Sequence, residues 1–254
     1  MTGTATRAMR PGLVLAALLL AACGGRGADG PQSYDTASRL RVAAAAEASG
    51  QTGIALSMYA AAAAADPGRA DVQAGFAGAL ARSGNAQQAE QVLNRALAQS
   101  PGDPALLVQL GRLRLRAGAA PQALALFEQV LAAEPRSVAA LDGKGVALDL
   151  LGRQPEAERS FRTALAISPE SIVPANNLAM SLLLAGRSAE ALAILEPLAR
   201  RPGAPPRVTA NLEIARAAAD DRPPGGTAPA VSAGAADLDA VLGSLAAEVA
   251  AGRS

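Results

Sequence analysis

The sequence predicts an all-α protein in which five pairs of helices stack into a right-handed superhelix, an α-solenoid closed by one capping helix. Three columns of residues that recur every 34 positions carry this prediction. Glycine stands at Gly50, Gly84, Gly118, Gly152 and Gly186. Alanine follows five residues later, at Ala55, Ala89, Ala123, Ala157 and Ala191. Proline lies twelve residues beyond the first four alanines, at Pro67, Pro101, Pro135 and Pro169. A fixed period of this length indicates stacked supersecondary units.

Each period is expected to hold two helices, one before the glycine and one after it. The glycine supplies the tight turn between them, and the proline ends the second helix because it lacks an N–H and clashes with the preceding turn. One helical turn after each alanine the residue is large: Tyr59, Leu93, Phe127, Phe161 and Leu195. The matching positions of the first helix are small: Ala43, Ala77, Gly111, Gly145 and Ala179. These small residues are expected to let the two helices of a pair approach closely.

At these positions the sequence resembles the tetratricopeptide repeat, in which the eighth and twentieth residues are small, the twenty-fourth is aromatic and the thirty-second is proline. The resemblance implies five repeats, at residues 36–69, 70–103, 104–137, 138–171 and 172–205. Residues 206–221 repeat the first-helix pattern and are predicted to cap the stack, because Glu213 replaces the small residue that a further helix would meet. The alternative, a non-repeating alanine-rich bundle, would not keep glycine and proline in phase over about 170 residues.

The N-terminus predicts a lipoprotein signal peptide at residues 1–22. Two arginines precede an apolar run that is shorter than the roughly 18 residues of a membrane-spanning helix. Residues 20–23, Leu-Ala-Ala-Cys, resemble the bacterial lipobox, which implies acylation of Cys23 and cleavage before it. The alternative is an ordinary signal peptide with a chance cysteine. Gly24 is not the aspartate associated with inner-membrane retention, so the expected location is the outer membrane, facing the periplasm.

The segments that flank the repeats differ from them in composition. Residues 23–35 are expected to form the acylated cysteine and a flexible tether. Residues 222–254 begin as a linker rich in proline, glycine and alanine. Apolar residues then recur at helical spacing, at Leu238, Val241, Leu242, Leu245 and Val249. This pattern predicts a short amphipathic C-terminal helix.

Composition argues against catalysis and indicates a protein-binding role. The chain has no histidine, no tryptophan and a single cysteine, which leaves no metal site built on His or Cys, no His-dependent triad and no internal disulfide. We predict no enzyme activity, no cofactor and no small-molecule substrate. With 23 basic and 22 acidic residues, the chain has no nucleic-acid footprint. Four carboxylates that could serve acid–base chemistry are interpreted as solvated or helix-capping charges: Asp142, Asp149, Glu156 and Glu158.

The surface available for binding, by the resemblance, is the concave groove lined by the first helix of each pair. The predicted lining is Val108, Arg112, Leu115, Arg116, Asp142, Val146, Asp149, Leu150, Asn176, Met180, Leu183 and Leu184. This set is apolar with a small basic patch, and it lacks the lysine–asparagine set with which some family members hold a C-terminal carboxylate. It suits an amphipathic helix or an extended hydrophobic segment. The alternative is that Leu150, Leu183 and Leu184 only pack between adjacent helices.

Residues 194–219 carry a more particular resemblance. A fifth repeat that closes in Leu-Glu-Pro-Leu-Ala, a Pro-Gly-Ala turn and an Asn-Leu capping helix are similar to the tight-adherence (Flp) pilus assembly lipoproteins of the TadD family. The resemblance implies an accessory of a type IV-like pilus or secretion machine, with a secretin or another assembly component as partner. Two alternatives remain: a lipoprotein regulator of peptidoglycan or exopolysaccharide enzymes, and a catalytic role.

Overall fold

The computed structural model describes residues 35–220, which contain eleven α-helices and no β-strand. The first helices of the five pairs are α1 (Thr36–Ala48), α3 (Ala70–Arg82), α5 (Pro104–Arg116), α7 (Val138–Leu150) and α9 (Ile172–Leu184). The second helices are α2 (Thr52–Ala65), α4 (Ala86–Gln99), α6 (Ala120–Ala133), α8 (Gln154–Ile167) and α10 (Ser188–Ala199). A final helix, α11 (Pro206–Asp220), follows the fifth pair. The all-α fold of five helix pairs and a capping helix is therefore confirmed.

The predicted signal peptide, Cys23 and most of the tether lie outside the described residues, as do the linker and the predicted C-terminal helix. Across residues 35–220, no helix combines the length and the apolar character that crossing a membrane requires.

The turn inside each pair depends on its glycine. At the end of α3, Gly84 has a φ of 84°, a left-handed conformation that side chains with a Cβ rarely adopt. Its N–H donates to the carbonyl of Ala81, and the N–H of Asn85 donates to the carbonyl of Leu80. This Schellman motif satisfies the carbonyls that the helix end leaves open. The other four glycines of the column also have positive φ, as predicted for the turn.

The second helices end where the proline column requires. The helices α2, α4, α6 and α8 each stop two residues before the proline of their repeat. The fifth pair departs from this, because α10 carries Pro197 within its last turn and ends at Ala199, after which Gly203 turns the chain with a φ of 76°. The chain then enters α11.

Stacking follows a regular pattern of neighbours. Each second helix contacts the first helix of its own pair and that of the next, and from α3 onward successive first helices also contact one another. The last helix, α11, contacts α9 and α10 and buries Val208, Leu212 and Ala215. On its outer side Glu213 is exposed and pairs with Arg216 at 2.9 Å, so a polar face ends the stack.

Aromatic rings fill slots made by missing side chains. Phe127 and Phe161 are both fully buried. A Cβ built on Gly111 would lie 2.7 Å from the ring of Phe127, and one built on Gly143 would lie 2.4 Å from the same ring. A Cβ on Gly145 would lie 2.4 Å from the ring of Phe161. Real Cβ atoms do not approach carbon this closely, so the rings occupy space that only glycine leaves open.

We predict that Gly145→Ala lowers the free energy of unfolding by about 1–3 kcal/mol, because the added methyl overpacks against the buried ring of Phe161. The measurement is urea unfolding followed by circular dichroism. Gly53→Ala is the matched control, since Gly53 lies within α2 with nothing within 4 Å of its Cβ position. Alanine there should stabilise the helix by about 0.5–1 kcal/mol. If the two substitutions changed the free energy of unfolding equally, the ring of Phe161 would not depend on the space left by Gly145.

Candidate binding groove

The structure buries more than half of the predicted groove lining. Of the twelve predicted residues, seven are buried: Val108, Leu115, Asp142, Val146, Asp149, Asn176 and Met180. The other five keep partial exposure: Arg112, Arg116, Leu150, Leu183 and Leu184. Met180, which is 2% exposed, is a core residue and offers no surface to a partner. The accessible part of the predicted groove is therefore the second group.

The burial has a direct cause, which is the contact between successive first helices. Asn177 on α9 donates its amide to Asp142 Oδ1 on α7 at 2.9 Å. One repeat further, Asn211 on α11 donates to Asn176 Oδ1 at 2.9 Å. Both pairs are separated by 35 residues, so each joins the fifth position of one repeat to the sixth position of the next. The helix that follows covers these polar groups, and it hydrogen-bonds them.

The interpretation of Asp142 and Asp149 as solvated charges is wrong. They are 2% and 3% exposed, because α9 lies over α7. Burial raises the pKa of Asp142 to about 6, although the hydrogen bond from Asn177 and the nearby charges of Arg112 and Arg207 act in the opposite direction. At pH 7 a larger fraction of Asp142 is therefore protonated than of an exposed aspartate.

Asp149 is the more perturbed of the two carboxyls. Burial raises its pKa to about 7, opposed only by the hydrogen bond that Ser181 Oγ donates to Oδ1 at 2.8 Å. Its other oxygen, Oδ2, is buried and has no hydrogen-bond partner among the described residues. Protonation of this oxygen removes a charge that nothing nearby neutralises.

The other two carboxylates lie at the start of α8, where Glu156 is about 40% exposed and Glu158 is only 17% exposed. Glu156 accepts two hydrogen bonds from Arg153, and Glu158 bridges Arg162 and Arg187 with N–O distances of 2.6 and 2.7 Å. The ion pair between Glu158 and Arg187 links the fourth repeat to the fifth. These are surface ion pairs, as expected for charges at the start of a helix.

The three leucines of the predicted lining contact both the core and the solvent. Leu150, Leu183 and Leu184 pack against the buried core of the C-terminal repeats and remain partly exposed. The C-terminal half of the concave face therefore presents aliphatic groups over a closed interior.

The N-terminal half of the concave face instead contains an open cavity of about 540 Å³, formed by α3, α5 and the start of α7. Small residues form part of its lining: Ala74, Gly75, Ala105 and Ala139. Asp71, Asp103 and Glu134 stand at one end, and Arg112 lies at the other. Asp71 is paired with Arg69 at 2.6 Å, and Asp103 accepts from the N–H of Leu106 as the N-cap of α5.

Three arginines lie together at the Arg112 end of the cavity, toward the C-terminal ends of α3 and α5. Arg82 pairs with Glu47, and Arg116 donates to the carbonyl of Ala81. Burial lowers the pKa of Arg112, and the neighbouring charge of Arg82 lowers it further, whereas Asp142 opposes both effects. Burial and Arg82 also lower the pKa of Arg116. We call Arg82, Arg112 and Arg116 the arginine cluster.

The sequence did not predict the residues that give this cavity its acidic end, namely Asp71, Asp103 and Glu134. The groove-facing positions of the second repeat do predict Arg82. It occupies the same repeat position as Arg116, 34 residues away, so the two arginines belong to one face. Within the described residues, no group of three or more His, Cys, Asp or Glu side chains is placed to hold a metal ion.

Comparison with known proteins identifies the repeat type. A family model described as a tetratricopeptide repeat matches residues 46–107 and again residues 81–148. Among solved structures, a thermophilic TPR protein of Thermus thermophilus matches with a TM-score of 0.64 at 21% identity, over 72% of this chain and 99% of that one. A tetratricopeptide repeat protein from Parabacteroides merdae has a TM-score of 0.55 at 22% identity, over 71% and 69% of the two chains.

PilF of Pseudomonas aeruginosa also matches, with a TM-score of 0.53 at 16% identity, over 73% of this chain and 87% of that one. No curated protein matches the sequence significantly. Together the family model, over residues 46–148, and these structures show the tetratricopeptide repeat fold. Such repeats are typically non-catalytic, and they generally mediate contacts between proteins through an extended concave surface.

We predict that the protein loses stability as the pH rises from 5 to 8. The folded state holds protons on Asp142 and Asp149 that the unfolded state, with an ordinary aspartate pKa near 3.8, has already released. The free energy of unfolding should fall by an amount on the order of 2–4 kcal/mol over this range. Urea titrations at four pH values measure it.

Asp149→Asn should remove most of this slope and raise the stability at pH 8, because the uncharged amide keeps an acceptor for Ser181. Glu213→Gln is the control, since Glu213 is an exposed carboxylate on α11. A slope that survives Asp149→Asn unchanged would mean that Asp149 is ionised in the folded protein.

Proposed function

We propose that the chain is an outer-membrane-anchored periplasmic scaffold that binds protein partners in the assembly of a type IV-like (Flp/Tad) pilus or secretion system. The binding role is the part that the fold supports directly, because a stack of tetratricopeptide repeats presents an extended concave surface. This surface, with its open cavity and its partly exposed leucines, is the single observation that carries the proposal.

The location rests on the N-terminal sequence. A lipobox ending in Cys23 implies acylation, and attachment of two or three acyl chains gives durable membrane binding where one chain gives only marginal binding. The tether that follows would hold the repeats close to the membrane surface. A binding groove held there meets envelope partners at a raised effective concentration.

The pilus assignment rests on residues 194–219. The structure gives this segment a defined role within the stack, since it forms the end of α10, the turn at Gly203 and most of the capping helix α11. PilF of Pseudomonas aeruginosa is similar in fold, and at 16% identity that likeness concerns the fold alone. The sequence resemblance to the TadD family therefore supports the pilus role.

A scaffold also fits the side chains of the concave face better than an enzyme does. The carboxyls with the most perturbed pKa values, Asp142 and Asp149, are sealed between α7 and α9 and hydrogen-bonded to Asn177 and Ser181. Acid–base chemistry needs such groups within reach of a substrate. Here they stabilise the contact between repeats.

We predict that deleting the gene abolishes surface pili and adherence while the pilin is still made, because the defect lies in assembly. A chain with Cys23→Ala should fail to restore piliation, since it lacks the anchor. Electron microscopy of cells and immunoblots of pilin provide the measurement. Normal piliation combined with altered cell-wall composition or lost exopolysaccharide would instead favour the regulator of envelope polysaccharide enzymes.

We also predict that Leu150→Glu combined with Leu184→Glu weakens partner binding at least tenfold, because both side chains are partly exposed on the concave face. Co-purification of the secretin from detergent-solubilised envelope measures the change. Ala125→Glu, at an exposed position of α6, is the control and should bind as the wild type does. A thermal melt must show that the double variant folds; a folded variant with unchanged capture would exclude this part of the groove.

A further inference from the structure

The arginine cluster contains a partly exposed cation, Arg112, whose buried Nε has no hydrogen-bond partner among the described residues. Arg82 pairs with Glu47 and Arg116 reaches a backbone carbonyl. The Nε atoms of Arg112 and Arg116 are buried and have no hydrogen-bond partner in residues 35–220. The carboxylate whose charge acts on Arg112 is that of Asp142, and it already accepts a hydrogen bond from Asn177. A carboxylate that entered here would gain charge-assisted hydrogen bonds and reduce the repulsion between Arg112 and Arg82.

The cavity next to this cation suits an apolar segment. The cavity leaves about 540 Å³ open between small lining residues, so large aliphatic side chains can enter where the first helices carry alanine and glycine. The site therefore combines a place for one or two carboxylates with an adjoining apolar trough. An occupant should carry an acidic residue beside a stripe of leucine or valine.

The chain itself contains such a segment, which lies beyond the described residues. In residues 236–250, Leu238, Val241, Leu242, Leu245 and Val249 recur at helical spacing. Asp237 and Asp239 stand on either side of the first leucine. The segment begins with acidic residues, which are complementary to the arginine cluster. Its aliphatic residues follow, and they are complementary to the adjoining cavity.

The connection is long enough to bring this segment to the groove. The helix α11 is in step with the first helices, and it is three neighbours away from α5 through α9 and α7. At roughly 8–10 Å between packed helices, the span is about 24–30 Å. A chain as long as residues 221–236 can extend to about 50 Å. The average reach of a flexible chain of that length is about 20–24 Å, which is close to the required span and gives a high effective concentration.

We propose that residues 236–250 occupy the concave groove as an internal ligand, with Asp237 and Asp239 at Arg112 and Arg116 and the apolar stripe over the cavity between α3 and α5. The segment then runs antiparallel to α5, toward its N-terminus. This inference rests on the proposed binding groove and deepens it, because an external partner must displace the segment. The apparent affinity of the groove is then its intrinsic affinity multiplied by the fraction of chains in which the groove is free.

Cysteine cross-linking of the full mature chain tests the proposal. In a Cys23→Ala background, which is otherwise free of cysteine, one variant carries Ala105→Cys at the exposed edge of the cavity together with Ala246→Cys. The control variant carries Ala125→Cys, at an exposed position of α6, with the same Ala246→Cys. Under mild oxidation the first variant should form an intramolecular disulfide at least tenfold faster than the control.

Charge variants show whether the arginine cluster holds the segment. Asp237→Asn with Asp239→Asn should slow formation of the 105–246 disulfide about tenfold, and Arg112→Gln should do the same. Glu248→Gln is the control: the proposed register brings this carboxylate toward the acidic end of the cavity, so its removal should not slow disulfide formation. Asp237 and Asp239 lie outside the described repeats, so their substitution leaves the residues of the stack unchanged. The aspartate variants therefore test the contact even if Arg112→Gln impairs folding.

Equal rates for the 105–246 and 125–246 pairs would overturn the proposal, because the segment would then sample both faces. A disulfide that forms only between chains, with a rate that rises with protein concentration, would also overturn it and would identify a second copy as the occupant. An unchanged rate in the aspartate variants would remove the arginine cluster from the mechanism. These outcomes concern the purified chain, so they are independent of piliation and distinguish failure of this inference from failure of the proposed function.

Discussion

The contact on which the stack depends is the insertion of an aromatic ring from a second helix into a gap where two first helices have no side chain. Phe127 touches the positions where Gly111, in its own pair, and Gly143, in the next pair, would carry a Cβ. One ring therefore sets both the spacing within a pair and the spacing between pairs. Because each repeat contacts chiefly its neighbours, such a contact contributes directly to the interface term that joins two repeats. The curvature of the groove follows from the same spacing.

A second constraint divides the concave face into two parts with different properties. Between α7, α9 and α11 the first helices meet through polar pairs, such as Asp142 with Asn177 and Asn176 with Asn211, which need direct contact to satisfy buried groups. Between α3 and α5 the corresponding residues are Ala74 and Gln109, and a cavity remains. The C-terminal repeats thus close their interior with hydrogen bonds, whereas the N-terminal repeats leave space for a ligand. The difference is chemical, since both parts use the same helix geometry.

The repeat architecture could be predicted because it depends on local rules: a glycine with positive φ ends a first helix, a proline ends a second, and small and large residues alternate in fixed columns. The accessibility of the groove could not be predicted, because it depends on how closely each first helix covers the first helix of the preceding repeat. Met180 has the spacing of a groove residue and lies in the core. Asp142 looked like a surface charge, although Asn177, 35 residues later, was a visible sign of its partner. The acidic end of the cavity joins Asp71, Asp103 and Glu134 from three loops and helix starts, and no single periodicity connects them.

The distribution of charge along the first helices explains why Arg112 differs from its neighbours. Asp71 and Asp103 lie at helix N-termini and Arg82 and Arg116 at the C-terminal ends, where each complements the helix dipole. Helix stability alone accounts for these four. Arg112 lies more than a turn inside α5, away from that favourable end, with its Nε buried and without a partner in the described chain. A desolvated cation costs folding free energy unless an anion accompanies it. Within the described chain that anion is supplied only through the charge of Asp142, and the acidic segment proposed for the groove would add a second one.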